Sequence, residues 1–206
     1  MSLKRILAAT FGAFFLIAAP LAAQDTARDD PEGASAFVKS LADRTRDVWS
    51  DAQLTAEERD TAFRDIFEKA TDIELISRAM LGRHYRTATE DQRRRYLEVM
   101  RDYIISEFDK RMRQIGFKEL LITGTTPAAG ERGHLFVRTR VERDEGESLI
   151  ADWRVRKENG IFQIVNLEIE GINLLITNRE VFSARIKDVG LEGLITELVE
   201  ETQEAE

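Results

Sequence analysis

Apolar residues recur every three or four positions through the first half of the chain, alternate with polar ones through a central stretch, and return to helical spacing at the end. Phe37, Leu41, Thr45 and Val48 follow Asp30-Pro31, a capping acid and a proline suited to a first helical turn, so a helix is expected to about Ala52. Thr55 with Glu58 has capping-box spacing ahead of Phe63, Ile66 and Phe67, and Thr71 with Glu74 repeats it ahead of Ile73, Ile76 and Met80. Thr89 with Gln92 opens the longest predicted helix. Its apolar face carries Tyr96, Met100, Tyr103, Ile104, Phe108 and Met112, and Gly116 is placed to end it in a left-handed cap.

Beyond Gly116 the period falls to two. Leu135, Val137, Thr139 and Val141 share one face of a strand and Arg138 and Arg140 the other; Leu149, Ala151, Trp153 and Val155 likewise oppose Ile150, Asp152, Arg154 and Arg156. Asn159-Gly160 is a hairpin signal into a third strand over Ile161 to Glu170, and a short strand near Leu120 to Thr123 brings the count to four. After Gly171, Leu174, Leu175, Phe182 and Ile186 are helically spaced, and Gly190 separates a last helix that runs into an acidic tail. The order predicts an α+β fold, a twisted four-stranded antiparallel sheet flanked by helices.

At the N-terminus Lys4 and Arg5 precede the apolar run Ile6 to Ile17, then Pro20, Ala22 and Ala23, the order of a secretory signal peptide cleaved after residue 23. The run is too short to span the ~30 Å hydrocarbon core of a bilayer, so residues 24–206 are expected as one exported domain with no stable membrane insertion. Folding outside the cytoplasm without disulfides points to the bacterial periplasm.

Composition then removes whole chemistries. The sequence has no cysteine, hence no disulfide, thiol nucleophile or cysteine-bound metal, and its two histidines, His84 and His134, lack metal-ligand spacing. No metal or cofactor is expected. With 30 basic against 38 acidic residues the formal charge is −8, and loss of Lys4 and Arg5 deepens it, which argues against nucleic acid as a partner. The same charge discourages adsorption to anionic lipid and favours delivery through protein partners.

Arg93, Arg94 and Arg95 read as a salt-bridged helix face beside Glu90, Asp91 and Glu98. Arg138, Arg140, Arg154 and Arg156 share the outer face of a hairpin and form a candidate docking surface for an acidic partner, unless Glu142, Asp152, Glu168 and Glu170 occupy them. Phe67, Met80, Leu81, Tyr85, Tyr96, Met100, Tyr103, Ile104, Val137, Trp153, Leu174 and Phe182 are candidates for lining an apolar pocket; a filled core would use the same residues. A third reading is an exported enzyme with an NTF2-like cone-shaped cavity, acting on a small apolar substrate with His84 or Asp152 as base.

Three stretches, LGRHYRTATEDQRRRYL from Leu81, IVNLEIEGINLL from Ile164 and FSARIKDVGLEGLITEL from Phe182, resemble in order and spacing the MlaC (toluene-tolerance) family of periplasmic phospholipid carriers. The resemblance covers about Phe37 to Leu198. It implies an NTF2-like sheet and helices around a pocket for acyl tails, in a protein without enzymatic activity, expected as a monomer. Such a carrier shuttles phospholipid between an outer-membrane lipoprotein complex and an inner-membrane ABC transporter bearing MCE-domain subunits, the Mla system of outer-membrane lipid asymmetry. Family members usually carry an aromatic, often Trp, where Phe162 stands, an Asp near Asn166 and a small hydroxyl residue near Asn173. The resemblance therefore implies tail contacts at the apolar candidates, and no headgroup contact is carried over from it to Asn166 or Asn173.

Overall fold

The computed structural model describes residues 30–203 except Gly130 and Arg132; the expected signal peptide lies outside them. Helix α1 (Pro31–Ser50) starts as its sequence requires: the Asp30 carboxylate accepts the Gly33 N–H at 2.8 Å and proline stands at the first position. Its buried stripe of Ala34, Val38, Leu41 and Thr45 lies on the sheet. Helix α2 (Ala56–Ala70) and helix α5 (Glu90–Ile115) both open with complete capping boxes, Thr55 with Glu58 and Thr89 with Gln92. Gly116 closes α5 at φ 66°, ψ 54°.

Helix α3 (Ile73–Leu81) departs from expectation. Its cap is Asp72, whose carboxylate accepts the Leu75 N–H at 2.9 Å, and not Thr71. Thr71 is instead drawn into a parallel bridge with Ile164, and the Asp72 N–H donates to the Ile164 carbonyl at 3.0 Å. Docking on the sheet outcompetes the local capping box. The short helix α4 (Arg83–Thr87) follows Gly82 and is fastened by Arg93, which donates to the carbonyls of Tyr85 and Arg86 and covers the Tyr85 ring. Arg93 thus closes a helix junction, while Arg95 with Asp91 and Arg94 with Glu98 form expected surface pairs, and Arg94 also pairs with Asp91.

Five strands, not four, form one antiparallel meander: β1 (Phe117–Pro127), β2 (His134–Arg143), β3 (Leu149–Glu158), β4 (Ile161–Ile169) and β5 (Ile172–Asn173). The first is far longer than Leu120 to Thr123. Register shifts after Phe117 and Ile122 break its alternation, and its edge position tolerates Gly124 and Pro127, so no clean period of two marks it. The fifth is two residues long and leads straight into a helix. Asn159 and Gly160 take φ of 50° and 81°, and Glu170 and Gly171 repeat that pair of left-handed conformations in the next hairpin turn.

The last helical stretch, α6 (Leu174–Gln203), breaks at Gly190, φ 74°, ψ 175°. A straight helix would set residues 185 and 197 about 18 Å apart at ~1.5 Å per residue. Arg185 nevertheless grips Glu197, with Nε to Oε2 at 3.0 Å, so the chain folds back at Gly190. Arg95 clamps the returning segment through both oxygens of Glu192, at 2.6 and 2.7 Å. These guanidiniums hold Glu192 and Glu197 below the usual carboxylate range, Glu192 with further help from Gln92. A lowered folded pKa contributes stability above the unfolded value of about 4.3 and loses it as pH falls through the folded one. Residues 191–203 should therefore exchange amide hydrogens faster, after correction for intrinsic rates, as pH is lowered from 5 towards 3. Uniform acceleration through the sheet as well would point to global unfolding and sink the local account.

Candidate functional site

Two apolar cavities lie between the inner face of the sheet and the helices. The first is bounded by α1, the C-terminal half of α5 and strands β1 to β4, with Leu41, Thr45, Trp49, Met112, Val141 and Ile169 among its walls. The second, the roomier of the two, lies between α3, α5, β4 and the start of α6, against Ile76, Met80, Tyr103, Ile104, Ile164 and Leu174. Phe67, Phe108, Trp153 and Leu167 belong to both linings and form the wall between the cavities.

The wall is held in place by aromatic packing and one buried relay. The Phe67 and Phe108 rings stand 4.7 Å apart, Phe108 meets Trp153 edge-on at 6.2 Å, and Phe63 stacks on Phe108 at 6.1 Å. Trp153 Nε1 donates to Thr139 Oγ1 at 3.0 Å, and that hydroxyl donates to the Ala151 carbonyl at 2.9 Å. Cross-strand pairing of Thr139 with Ala151 and of Val137 with Trp153 creates this geometry. The indole is fixed by satisfied hydrogen bonds inside an otherwise oily wall.

Of the twelve residues expected to line a pocket, Phe67, Met80, Tyr103, Ile104, Trp153 and Leu174 do so. Leu81, Tyr96, Met100 and Phe182 form a packed cluster where α3, α5 and α6 meet, with Tyr85 against its edge, and Val137 is fully buried in the sheet core. Tyr96 is sealed there, its hydroxyl donating to the Ser77 carbonyl at 2.9 Å while burial pushes the phenol pKa up. Tyr103 is raised too, first by burial and then by Glu107 and Glu201. Sequence reasoning missed the α1 residues Leu41, Thr45 and Trp49 as lining, although the period of α1 already marked Leu41 and Thr45 as inward. It also left out Phe108, the ring at the centre of the wall, despite its place on the α5 stripe.

Polar side chains gather at the second cavity. Asn166, 7% exposed, turns its Oδ1 towards the Leu175 N–H at 3.4 Å, and Asn178 donates to the Leu174 carbonyl at 2.9 Å. Asn173 is outside the lining; it caps α6 by accepting the Ile176 N–H at 3.0 Å. Thr71, 3% exposed, has a hydroxyl with no hydrogen-bond partner among the described residues. Glu107 and Arg111 complete this polar rim.

His84 and Asp152 line neither cavity and are not brought together. His84 Nε2 lies 3.4 Å from Ser183 Oγ between α4 and α6, whereas Asp152 is on the outer sheet face in a two-point pair with Arg138 at 2.8 and 2.9 Å. The hairpin arginines do share that outer face. Arg140 pairs with Glu142 at 2.9 Å, Arg156 with Asp72 at 2.5 Å and with Glu158 at 2.7 Å, and Arg154 with Glu131. Burial lowers the Arg154 pKa from its ordinary value. Arg138 and Arg140 are the more accessible of the four, at 63% and 48% side-chain exposure.

Among the described residues no helix is long and apolar enough to cross a membrane. The fold is similar to that of a phospholipid-binding protein from Ralstonia solanacearum, solved in complex with a phospholipid, with a TM-score of 0.70 and 21% sequence identity. The similarity covers 84% of this chain and 98% of that one. A profile of the MlaC protein family matches residues 39–200, from α1 to the folded-back end of α6 and so through every wall of both cavities; the chain belongs to the MlaC family.

Proposed function

We propose that the protein is a periplasmic phospholipid carrier that holds acyl tails in the two cavities and has no catalytic role. The observation that carries the reading is a pair of apolar spaces sharing one wall of rings, in a chain of the MlaC family. Two tails have about 30 methylenes, and at ~0.8 kcal/mol each their exposure to water would cost about 24 kcal/mol. Free diffusion of a phospholipid across an aqueous compartment is therefore prohibitive. A carrier need only imitate the bilayer interior as a solvent, so that transfer is nearly neutral and partners can bias it.

Residues 1–23 act as the export signal in this reading, and lipid passes between an outer-membrane lipoprotein complex and an inner-membrane ABC transporter with MCE-domain subunits. Arg138 and Arg140 are exposed but already paired with Asp152 and Glu142, so an acidic partner docking on that face would have to displace those carboxylates. The flexible side chains of Met80 and Met112, one in each cavity, suit tails of varied length and unsaturation. An enzyme built on His84 or Asp152 would need them at the apolar space, where neither stands.

Purification of the protein from a bacterial periplasm without detergent, followed by solvent extraction and mass spectrometry, tests the proposal. Phospholipid in stoichiometric amount is the expected result. A stably folded protein free of lipid, and unable to acquire it from vesicles, would overturn it.

A further inference from the structure

A guanidinium partly withdrawn from water ordinarily finds an anion or a set of carbonyls, since leaving it unpaired is costly. Arg156 has Asp72 and Glu158, and Arg93 has two carbonyls. Arg111 differs. It is half-buried on α5, lines the second cavity, and makes no hydrogen bond or ion pair with any described residue. Glu107 stands one helical turn before it on the same lining, also half-buried, its only ion pair among the described residues a 3.7 Å approach to the exposed Lys110, which is worth little. The first cavity has no charged residue in its lining. On the lining of the second, the Thr71 hydroxyl is buried with no hydrogen-bond partner among the described residues, so one more hydrogen-bonding group there awaits an acceptor or donor.

Resting on the carrier reading, we infer that the rim of the second cavity is a phosphodiester site. The Arg111 guanidinium takes the phosphate of a bound glycerophospholipid, and Glu107 faces the ammonium end of a zwitterionic headgroup. The forked donors of arginine suit two phosphate oxygens at once, which a lysine cannot match. An acidic neighbour makes the same rim less favourable to a headgroup that ends in neutral hydroxyls. Thr71, on the same lining, has a hydroxyl that can donate a hydrogen bond to an ester carbonyl of the glycerol backbone. Ligand polarity thus follows cavity polarity: tails in the two oily spaces, phosphate at the one charged rim.

The test offers the protein vesicles containing phosphatidylethanolamine, phosphatidylglycerol and diacylglycerol in equal amounts with identical tails, and quantifies the lipids it carries off after repurification. The native protein should favour both phospholipids over diacylglycerol and phosphatidylethanolamine over phosphatidylglycerol. Arg111→Gln should reduce the phospholipid to diacylglycerol ratio about tenfold, the scale of a lost hydrogen bond to a charged group. Arg111→Lys should recover part of the ratio, and Glu107→Gln should bring the two phospholipids towards parity. Native protein taking diacylglycerol as readily as phospholipid, or an unchanged ratio in Arg111→Gln, would overturn the phosphate assignment with the carrier reading intact. An unchanged phospholipid preference in Glu107→Gln would overturn the ammonium assignment. Lipid of no kind on the native protein would overturn the carrier reading and this inference together.

Discussion

Replacing Phe108 by alanine is expected to lower the melting temperature of the lipid-free protein by roughly 6–12 °C. The ring packs on Phe63, Phe67 and Trp153 and sits in the linings of both cavities. Truncating a ring of this kind costs about 3 kcal/mol or more, because the space left is not refilled. For a chain of this size each kcal/mol moves the midpoint by about 2–4 °C. The same change should join the two cavities into one. Phospholipid bound per protein should therefore be kept or raised, and the melting deficit should shrink when lipid is present, since a ligand that binds only the folded state stabilises it. Scanning calorimetry of stripped and loaded protein reads both effects. A midpoint unchanged by the substitution would mean that the ring supports nothing and that the wall is not a packed element.

The opposite manipulation should separate folding from loading. Ile104 lines the second cavity from α5 and is only partly buried, so Ile104→Trp directs a larger ring into that open space. Overpacking a filled core typically costs about 1–3 kcal/mol, but here the ring has room. The variant should melt within a few degrees of the native protein, at roughly the scale of 1 kcal/mol, yet carry at least about tenfold less phospholipid after purification without detergent. Full lipid content in a well-folded Ile104→Trp protein would remove the second cavity from the tail site. The pair of variants is informative because stability and lipid content are expected to move in different combinations.

How much of this was legible in the sequence depends on what periodicity encodes. A spacing of 3.6 or 2 tells which face of an element turns inward, and the buried stripes of α1, α5, β2 and β3 follow it residue by residue. It carries no information on how far the opposing element stands off. Met100 and Ile104 are one turn apart on α5, yet Met100 is sealed against α3 and α6 while Ile104 borders empty space. Tyr96 and Phe182 likewise look identical in pattern to Tyr103 and Leu174. Separating lining from packing requires the crossing of α3 and α6 over α5, which is a tertiary fact. Strand β1 was obscured for a local reason, its bulges, and Thr71 for a competitive one, its bridge to Ile164. The polar rim gave no signal, because Glu107 and Arg111 read as an ordinary helix surface until the neighbouring elements enclose them.

The strand order carries a kinetic meaning as well. Each strand pairs only with its neighbours in the chain, across connections of six, five, two and two residues. Closing a loop costs entropy that grows only with the logarithm of its length, about 0.6 kcal/mol per doubling, so every one of these hairpins is inexpensive to form. Sheet formation in this topology has low contact order, a property that goes with fast folding. The long closures fall instead to the helices, since α1 must return across more than sixty residues to cover β1, and α3 and α6 must meet across α5. An early sheet would therefore expose the inner faces of Val137, Trp153 and Leu167 until the helices arrive, and the interval before that arrival is when the chain is most open to association with other unfolded chains.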